Sequence, residues 1–349
     1  MATTFSSLPI VDLTSLKNPS AGLSREERNN LASQLFNVFA TTGFAYLVNH
    51  PLSFDHEALF ELCREYFALP IEEKMKLAKK SFCKDNLNTY RGYFPTQPDL
   101  ATDNLKEGFE IGPPNLVPRP STSDGDTNAP KISLSEPNVW PAPSVFPSRP
   151  KLEQLYHELQ SLSSTLLSIL AVSLGKDADF FASYLTDSLS TLRLLHYPPN
   201  SSMKLSTSAP GEKPAGPKEK LSCTPHTDSG ILTLLHQDAT GGLEVQDAGG
   251  NWVAAPYVPG SIVVNIGDLM AKVSGGRFVA TMHRVRAPAP AASPNKGENG
   301  GGRFSVPFFF EPGEKCVIRS VDDEDGVDAV VYGDHVRAKM KTWVEFRDL

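Results

Sequence analysis

The chain has 349 residues, of which 40% are hydrophobic and 21% are charged, and its formal net charge is −7. This acidic balance gives no reason to expect a nucleic acid or an anionic membrane as a partner. The N-terminus lacks a basic segment followed by an apolar one, and no run reaches about 18 apolar residues, so we expect a soluble, cytoplasmic protein.

The first half of the chain predicts helices with a few strands between them. The predicted elements are a strand over LPIVDL, a helix over residues 25–42, a strand over GFAYLVNH, a helix from Phe54 to about Leu69 and a helical turn or two after Pro70. Gly43 is a plausible C-cap for the first of these helices. Residues 113–150 hold ten prolines and no periodicity, which predicts a long loop.

The second half begins with one helix and then changes to short strands. Residues 151–175 carry a broad apolar stripe, which predicts a buried helix that supports a sheet. The predicted strands lie in TLRLLHYP, GILTLLHQD, GGLEVQD, NWVAAPY, SIVVNIG, FVATMHRV and RFSVPFFFEP, with a hairpin turn at Asp247–Asn251. Two inserts rich in Pro, Gly, Ser and Lys, 198–221 and 287–302, indicate mobile loops, and we interpret the first as a lid over the substrate.

This pattern indicates an α+β, mainly β, fold. Seven or so short strands favour a jelly-roll core, with helical support from the N-terminal half and a C-terminal helix. We expect residues 1–150 to form an N-terminal helix and strand region with substrate-side loops. Residues 151–349 would form the core and its flanking helices, and the two parts would make one compact unit.

His226 and Asp228 are the first candidate metal ligands. In an extended segment, residues i and i+2 point to the same side, so the imidazole and the carboxylate can converge on one ion. His283, from a distant strand, would complete a set of two histidines and one carboxylate. Such a facial set leaves positions open on a non-haem Fe(II) that must bind both a co-substrate and O₂.

The H-x-D tripeptide alone is weak evidence, because it is common by chance. The chain contains a second one, His236–Gln–Asp238, which we interpret as a strand end and a turn because Gly241 and Gly242 follow it. The four cysteines are scattered without a CxxC pair, which argues against a disulfide framework or a zinc site. Cys223 is the cysteine nearest to His226 in sequence.

Arg303 and Ser305 open the strand RFSVPFFF and share one of its faces. The guanidinium can donate two hydrogen bonds to a carboxylate, and the hydroxyl can donate a third. The alternative is an exposed arginine at a strand end, in a salt bridge worth less than about 1 kcal/mol. The order HxD, H, RxS favours the carboxylate site.

A series of phrases in fixed order carries a resemblance to a known family. They are LPIVDL, TTGFAYLVNH, FALPIEEKMKLA, YRGYF, KEGFEIG and NVWP in the N-terminal half, and LRLLHYPP, PHTDSGILTLLHQD, GGLEVQ, NIGDLM, HRV and RFSVPFFFEP in the C-terminal half. Over nearly its whole length the chain resembles the isopenicillin N synthase-like family of Fe(II)/2-oxoglutarate oxygenases. The resemblance implies a double-stranded β-helix core.

The resemblance also implies the cofactors Fe(II), 2-oxoglutarate and O₂, with ascorbate in support. The implied site residues are three metal ligands and three contacts to the far carboxylate of 2-oxoglutarate, namely His226, Asp228 and His283, and Arg303, Ser305 and Tyr197. The keto and C1 carboxylate oxygens of 2-oxoglutarate would chelate the metal. The family often has Asn where this chain has Leu195, so one co-substrate contact is missing or replaced.

The substrate side can be read from strand alternation. Arg193 falls on the same side as Tyr197, which makes it a candidate anchor for an acidic phenol, a carboxylate or a carbonyl. The alternative is a buried arginine paired with a protein carboxylate. Phe309 is a candidate apolar wall, and Tyr90 and Tyr93 are weaker candidates, for which core packing is the competing interpretation.

Within the family, the chain looks most similar to thymine 7-hydroxylase and to fungal oxygenases of aromatic polyketides. Ser229 and Tyr90 stand where the thymine enzyme has an aromatic residue and Asn. We therefore expect a small aromatic or polyketide-derived substrate that is hydroxylated, with radical ring expansion to a tropolone as a possible continuation. The alternatives are a pyrimidine methyl hydroxylase, an Fe(II) oxidase that needs no 2-oxoglutarate, and a non-catalytic binding protein. The oligomeric state stays open.

Overall fold

The computed structural model describes residues 2–17, 22–96, 105–116, 132–198, 221–287, 302–323 and 325–341. The helices are α1 (Arg25–Thr41), α2 (His56–Phe67), α3 (Ile71–Met75), α4 (Arg149–Ser173), α5 (Ala182–Leu185), α6 (Asp268–Val273) and α7 (Tyr332–Met340). The strands are β1 (Ile10–Asp12), β2 (Phe44–Val48), β3 (Gly92–Phe94), β4 (Glu107–Ile111), β5 (Thr191–Tyr197), β6 (Leu221–His226), β7 (Leu232–Gln237), β8 (Leu243–Gln246), β9 (Trp252–Ala254), β10 (Ile262–Ile266), β11 (His283–Arg286), β12 (Arg303–Phe310), β13 (Val317–Ile318) and β14 (Val330–Val331).

Two sheets form the body of the fold. The large sheet has eight strands in the order β1-β2-β10-β7-β12-β5-β4-β3, and the small sheet has four in the order β6-β11-β8-β9. Strands that are consecutive in sequence, such as β6 and β7, lie in different sheets, as in a double-stranded β-helix. The predicted jelly-roll core and the C-terminal helix, α7, are therefore confirmed. The N-terminal region contributes four of the eight strands of the large sheet.

The large sheet is apolar on both faces. Its inner face packs against the small sheet, and this cluster includes Phe44, Tyr46, Leu195 and Tyr197 from one sheet and Val245 from the other. Its outer face packs against helices α1, α2 and α4 in a second, larger cluster. The predicted role of the long helix as a support for a sheet is confirmed, although α4 begins at Arg149 rather than at residue 151.

The junction between α1 and β2 shows how local sequence sets the chain path. Ser24 and Glu27 form a reciprocal capping box at the start of α1. Gly43 ends the helix at φ +69°, in the left-handed region that glycine tolerates, which agrees with the predicted C-cap. A Cβ at this position would lie 2.3 Å from the Thr281 hydroxyl, so the turn packs directly against the segment that leads to His283.

Several details differ from the prediction or lie outside its test. The strand predicted over FVATMHRV begins only at His283. The residues before it form hydrogen bonds with α1 and its C-terminal end instead: the Val279 amide donates to the Phe39 carbonyl, and the Thr281 hydroxyl donates to the Thr42 carbonyl. Strands β3 and β4 were not predicted. The inserts 198–221 and 287–302, with the proposed lid, lie outside the described residues apart from their end residues. No helix within the described ranges is long and apolar enough to cross a membrane.

Candidate metal centre and active site

The three predicted ligands converge where the small sheet meets the loop before β7. His226 is the last residue of β6, His283 is the first of β11, and the two lie opposite each other in an antiparallel pair. The Nε2 atoms of His226 and His283 are 3.9 and 3.7 Å from Oδ1 of Asp228. One ligand atom from each residue lies within 4.8 Å of the others, so the three can share one ion.

Backbone carbonyls orient both imidazole rings. The Nδ1 atom of His226 lies 2.8 Å from the Thr224 carbonyl, and that of His283 lies 3.2 Å from the Thr281 carbonyl. Because a carbonyl can only accept, each ring donates from Nδ1 and keeps the lone pair of Nε2 for a metal. Burial lowers the pKa of His283 to about 4, which favours the neutral ring that a metal requires.

The carboxylate of Asp228 is oriented from behind. Its Oδ2 accepts hydrogen bonds from Thr233 Oγ1 at 2.5 Å and from Asn265 Nδ2 at 2.8 Å. This leaves Oδ1 directed to the two histidines. Burial alone would raise the pKa of Asp228, but the two imidazoles and these hydrogen bonds lower it, so the carboxylate is ionised. The donor set therefore suits Fe(II).

The residues predicted to bind the far carboxylate of 2-oxoglutarate also lie together. Arg303 is 1% exposed; its Nε donates to the Gly241 carbonyl at 2.6 Å and its Nη1 to Ser305 Oγ at 3.2 Å. The guanidinium carbon is 4.8 Å from the centre of the Tyr197 ring. In the part of the chain that the structure describes, no carboxylate forms an ion pair with Arg303. A buried cation in this state suits an anionic ligand.

The second H-x-D tripeptide does not form a metal site. His236 is 4% exposed and lies on the outer side of β7, with its ring centre 6.1 Å from that of His50. Asp238 accepts hydrogen bonds from the backbone amides of Phe304, at 2.6 Å, and Thr240, at 2.9 Å. The aspartate thus caps a turn, in agreement with the interpretation from the sequence.

Arg193 and Phe309 form part of the inner wall near the metal ligands. Phe309 lies opposite Thr233 in the pairing of β12 with β7, and is only partly buried. The guanidinium carbon of Arg193 is 5.2 Å from the centre of the Phe309 ring and 5.6 Å from that of Phe94. Arg193 is also ion-paired with Glu110. The alternative interpretation from the sequence, an arginine paired with a protein carboxylate, therefore applies to part of its surroundings.

The two weaker tyrosine candidates are not placed with this wall. Tyr93 belongs to the cluster on the outer face of the large sheet, and its hydroxyl donates to Glu107 Oε2 at 2.6 Å. The ring of Tyr90 packs at 4.4 Å on the guanidinium carbon of Arg91. Arg91 itself is 1% exposed and donates to Thr191 and to the Leu189 carbonyl. Their assignment to substrate stays a prediction.

Comparisons with known proteins agree with this geometry. Residues 188–312 match the model of the 2OG-Fe(II) oxygenase superfamily, and residues 8–143 match that of the non-haem dioxygenase in morphine synthesis N-terminal region. The 2-oxoglutarate-Fe(II) type oxidoreductase hxnY of Emericella nidulans is 32% identical over 86% of this chain and 78% of its own length. The chain belongs to the 2OG-Fe(II) oxygenase superfamily. It is an enzyme that uses Fe(II), 2-oxoglutarate and O₂.

Two further relatives bear on the choice of substrate. Clavatol oxidase claD of Penicillium crustosum is 31% identical over 95% of both chains. The crystal structure of the full-length thymine 7-hydroxylase of Neurospora crassa, in complex with alpha-KG and thymine, superimposes with a TM-score of 0.73. It is 25% identical, and the match covers 96% of this chain and 97% of the thymine enzyme. Both similarities span nearly the whole dioxygenase.

Proposed function

We propose that this dioxygenase oxidises a C–H bond of a small aromatic or polyketide-derived molecule that carries an acidic phenol or a carboxylate. The observation that carries the proposal is the wall of Phe94, Arg193 and Phe309 beside the metal ligands. It combines two aromatic faces with one partly exposed guanidinium, and both ring centres lie within 6 Å of the guanidinium carbon. Aromatic rings with a charged oxygen fit such a surface.

Strand β12 carries proposed contacts for the co-substrate at one end and for the substrate at the other. Its inner face runs from Arg303 to Phe309, a span of roughly 20 Å at the usual rise per residue. Thr233, which bonds Asp228, lies opposite Phe309. The metal ligands therefore approach the Phe309 end, while the far carboxylate of 2-oxoglutarate would occupy the Arg303 end. The bound iron supplies the redox chemistry that couples decarboxylation of 2-oxoglutarate to oxidation of the substrate.

The charges behind the wall favour an acidic substrate. Glu110 is ion-paired with both Lys79 and Arg193. Burial would raise its pKa, but Arg193 and Lys79 lower the pKa to about 2, so the carboxylate is ionised and holds the guanidinium in place. The side chain of Arg193 is 24% exposed, and its planar group has five N–H donors. A phenolate or carboxylate oxygen can therefore accept from a guanidinium that is already oriented.

The test is a paired substrate panel. Each phenol or aromatic acid is offered with Fe(II), 2-oxoglutarate and O₂ beside its own methyl ether or ester, and succinate and oxidised product are measured. We expect at least one acidic compound of the panel to be oxidised with matching formation of succinate. Its KM should rise about 10- to 100-fold in Arg193→Met, because the variant loses a charge-assisted hydrogen bond. Equal KM values in wild type and Arg193→Met for every acid that turns over would refute the role of Arg193. Product mass separates single hydroxylation from further oxidation, including ring expansion to a tropolone.

A second candidate substrate is a pyrimidine. The fold similarity to the thymine complex of the Neurospora crassa enzyme favours it, whereas Ser229 and Tyr90 argue against it. Thymine is therefore included in the panel, and thymine-dependent succinate formation would replace the aromatic proposal. The rival oxidase chemistry predicts turnover without 2-oxoglutarate, and a non-catalytic protein predicts no turnover with any substrate.

A further inference from the structure

Position 195 is an apolar position among the polar residues of the predicted co-substrate site. Leu195 is 5% exposed, lies on the inner face between Arg193 and Tyr197, and pairs with Ser305 of β12. Its side chain offers no hydrogen bond. A neighbouring strand brings a cation to the same region, because Glu107 of β4 pairs with His196, and Lys106 precedes it by one residue. Continuing this register by one step sets Lys106 across from Tyr197.

Lys106 reaches across the fold to the metal ligands. Its Nζ donates to Cys223 Sγ at 3.4 Å, and that sulfur lies 3.8 Å from Nδ1 of His226. Lys106 directly precedes β4 of the large sheet, and Cys223 lies in β6 of the small sheet, so this contact joins the two sheets. The ammonium group is thus partly buried, and the Cys223 sulfur lies between it and the His226 ring.

We propose that Lys106 is a co-substrate-binding residue, whose ammonium group pairs with the metal-side carboxylate of 2-oxoglutarate. This dicarboxylate carries two negative charges, and Arg303 can neutralise only the far one. Lys106, the residue before β4, would then supply the hydrogen bond that Leu195 of β5 cannot. The inference rests on the superfamily co-substrate and is independent of the substrate proposed above.

The test measures binding rather than turnover. The enzyme is loaded with saturating Fe(II) without O₂ and titrated with 2-oxoglutarate, and the visible charge-transfer band and the heat of binding are followed. We expect Lys106→Met to weaken the Kd for 2-oxoglutarate about 10- to 100-fold, as for a lost charge-assisted hydrogen bond, and Lys106→Arg to restore part of the affinity. The Kd for Fe(II) should stay within about twofold of wild type. Lys76→Met, at a side chain 66% exposed, is the matched control and should bind 2-oxoglutarate like wild type.

A double-mutant cycle separates this role from simple pairing with the thiol. If Lys106 binds 2-oxoglutarate, Lys106→Met weakens the Kd in a Cys223→Ala background as well. Loss of the effect in that background would overturn the proposal, as would an unchanged Kd in a Lys106→Met protein that melts like wild type. A raised substrate KM with an unchanged Kd for 2-oxoglutarate would also overturn it and move Lys106 to the substrate. Absence of 2-oxoglutarate binding in wild type would instead count against the co-substrate itself.

Discussion

Replacing Thr233 with Val removes one of the two hydrogen bonds that orient Asp228, while the side chain keeps nearly the same shape. Both bonds, from Thr233 Oγ1 at 2.5 Å and Asn265 Nδ2 at 2.8 Å, end on Oδ2, so each single variant leaves the other bond in place. A hydrogen bond to a charged group contributes about 1.5–3 kcal/mol, and loss of an outer-sphere partner weakens metal binding about 10- to 100-fold. We expect the Kd for Fe(II) to rise about tenfold in Thr233→Val and about 100-fold when Asn265→Leu is added.

The assay is a competition titration of Fe(II) against a chelator of known affinity, without O₂. Thr165→Val is the matched control, because its hydroxyl bonds a carbonyl on the exposed side of α4, and it should bind Fe(II) like wild type. Circular dichroism and the melting temperature identify any variant that loses its fold. An unchanged Kd in a folded Thr233→Val/Asn265→Leu protein would show that the geometry of Asp228 does not depend on these partners, and the reasoning would fail.

Three further variants test other parts of the site. Arg303→Met should lose the charge-transfer band and weaken 2-oxoglutarate binding at least about tenfold, with Fe(II) affinity retained, because it removes a buried cation; a wild-type band would refute the carboxylate site. His236→Leu should bind Fe(II) like wild type, since the ring of His236 lies beside His50 on the outer face of the large sheet, away from the metal ligands; weaker Fe(II) binding would revive the second tripeptide. Glu110→Gln should destabilise the fold by about 3–5 kcal/mol near neutral pH, because it removes the buried carboxylate that is ion-paired with Lys79 and Arg193. The pKa of Glu110 is lowered from 4.5 to about 2, so this stabilisation is complete above about pH 4.5 and is lost as the pH falls towards 2. Urea unfolding at several pH values should therefore show that the difference in free energy of unfolding between wild type and Glu110→Gln becomes smaller as the pH falls. A difference that stays constant would contradict this prediction.

The parts of the fold that the sequence predicts well are those with strong local signals. In strand β12, Phe304, Phe308 and Phe310 belong to the cluster that packs on the helices and alternate with Arg303, Ser305 and Phe309 on the inner face, and α1 carries a capping box followed by a glycine. Runs such as those of β7 and β10 are apolar on both faces because helices cover one side and the small sheet covers the other. In these segments local preference and tertiary environment agree.

Strands β3 and β4 escape prediction because their stabilising partners are remote. Strand β4 carries Glu107 and Glu110, which lie on opposite faces and are both buried. Isolated carboxylates would be too costly there, and the sequence nearby gives no sign of their partners. The structure supplies them from the segment around α3, with Lys74 on one face and Lys79 on the other.

The same distinction applies within the site. The metal ligands are recognisable because two of them share a tripeptide, and Arg303 and Ser305 share a strand face. Thr233 gives no comparable signal, since an inner-face threonine in a strand is ordinary. Asn265 is 37 residues from Asp228, and Lys106 is 117 residues from Cys223, so only the pairing of strands brings them together. The residues that tune the site are therefore less visible in sequence than those that define it.

The different environments of the two arginines imply an order of binding. Arg193 already shares its charge with Glu110, whereas no carboxylate among the described residues pairs with Arg303. An anion at Arg303 therefore compensates a buried charge, while an anion at Arg193 only adds to an existing pair. The co-substrate should gain more from its arginine than an acidic substrate gains from the other. If the substrate is acidic, as proposed, 2-oxoglutarate bound first at Arg303 leaves Arg193 and its aromatic neighbours accessible to the substrate.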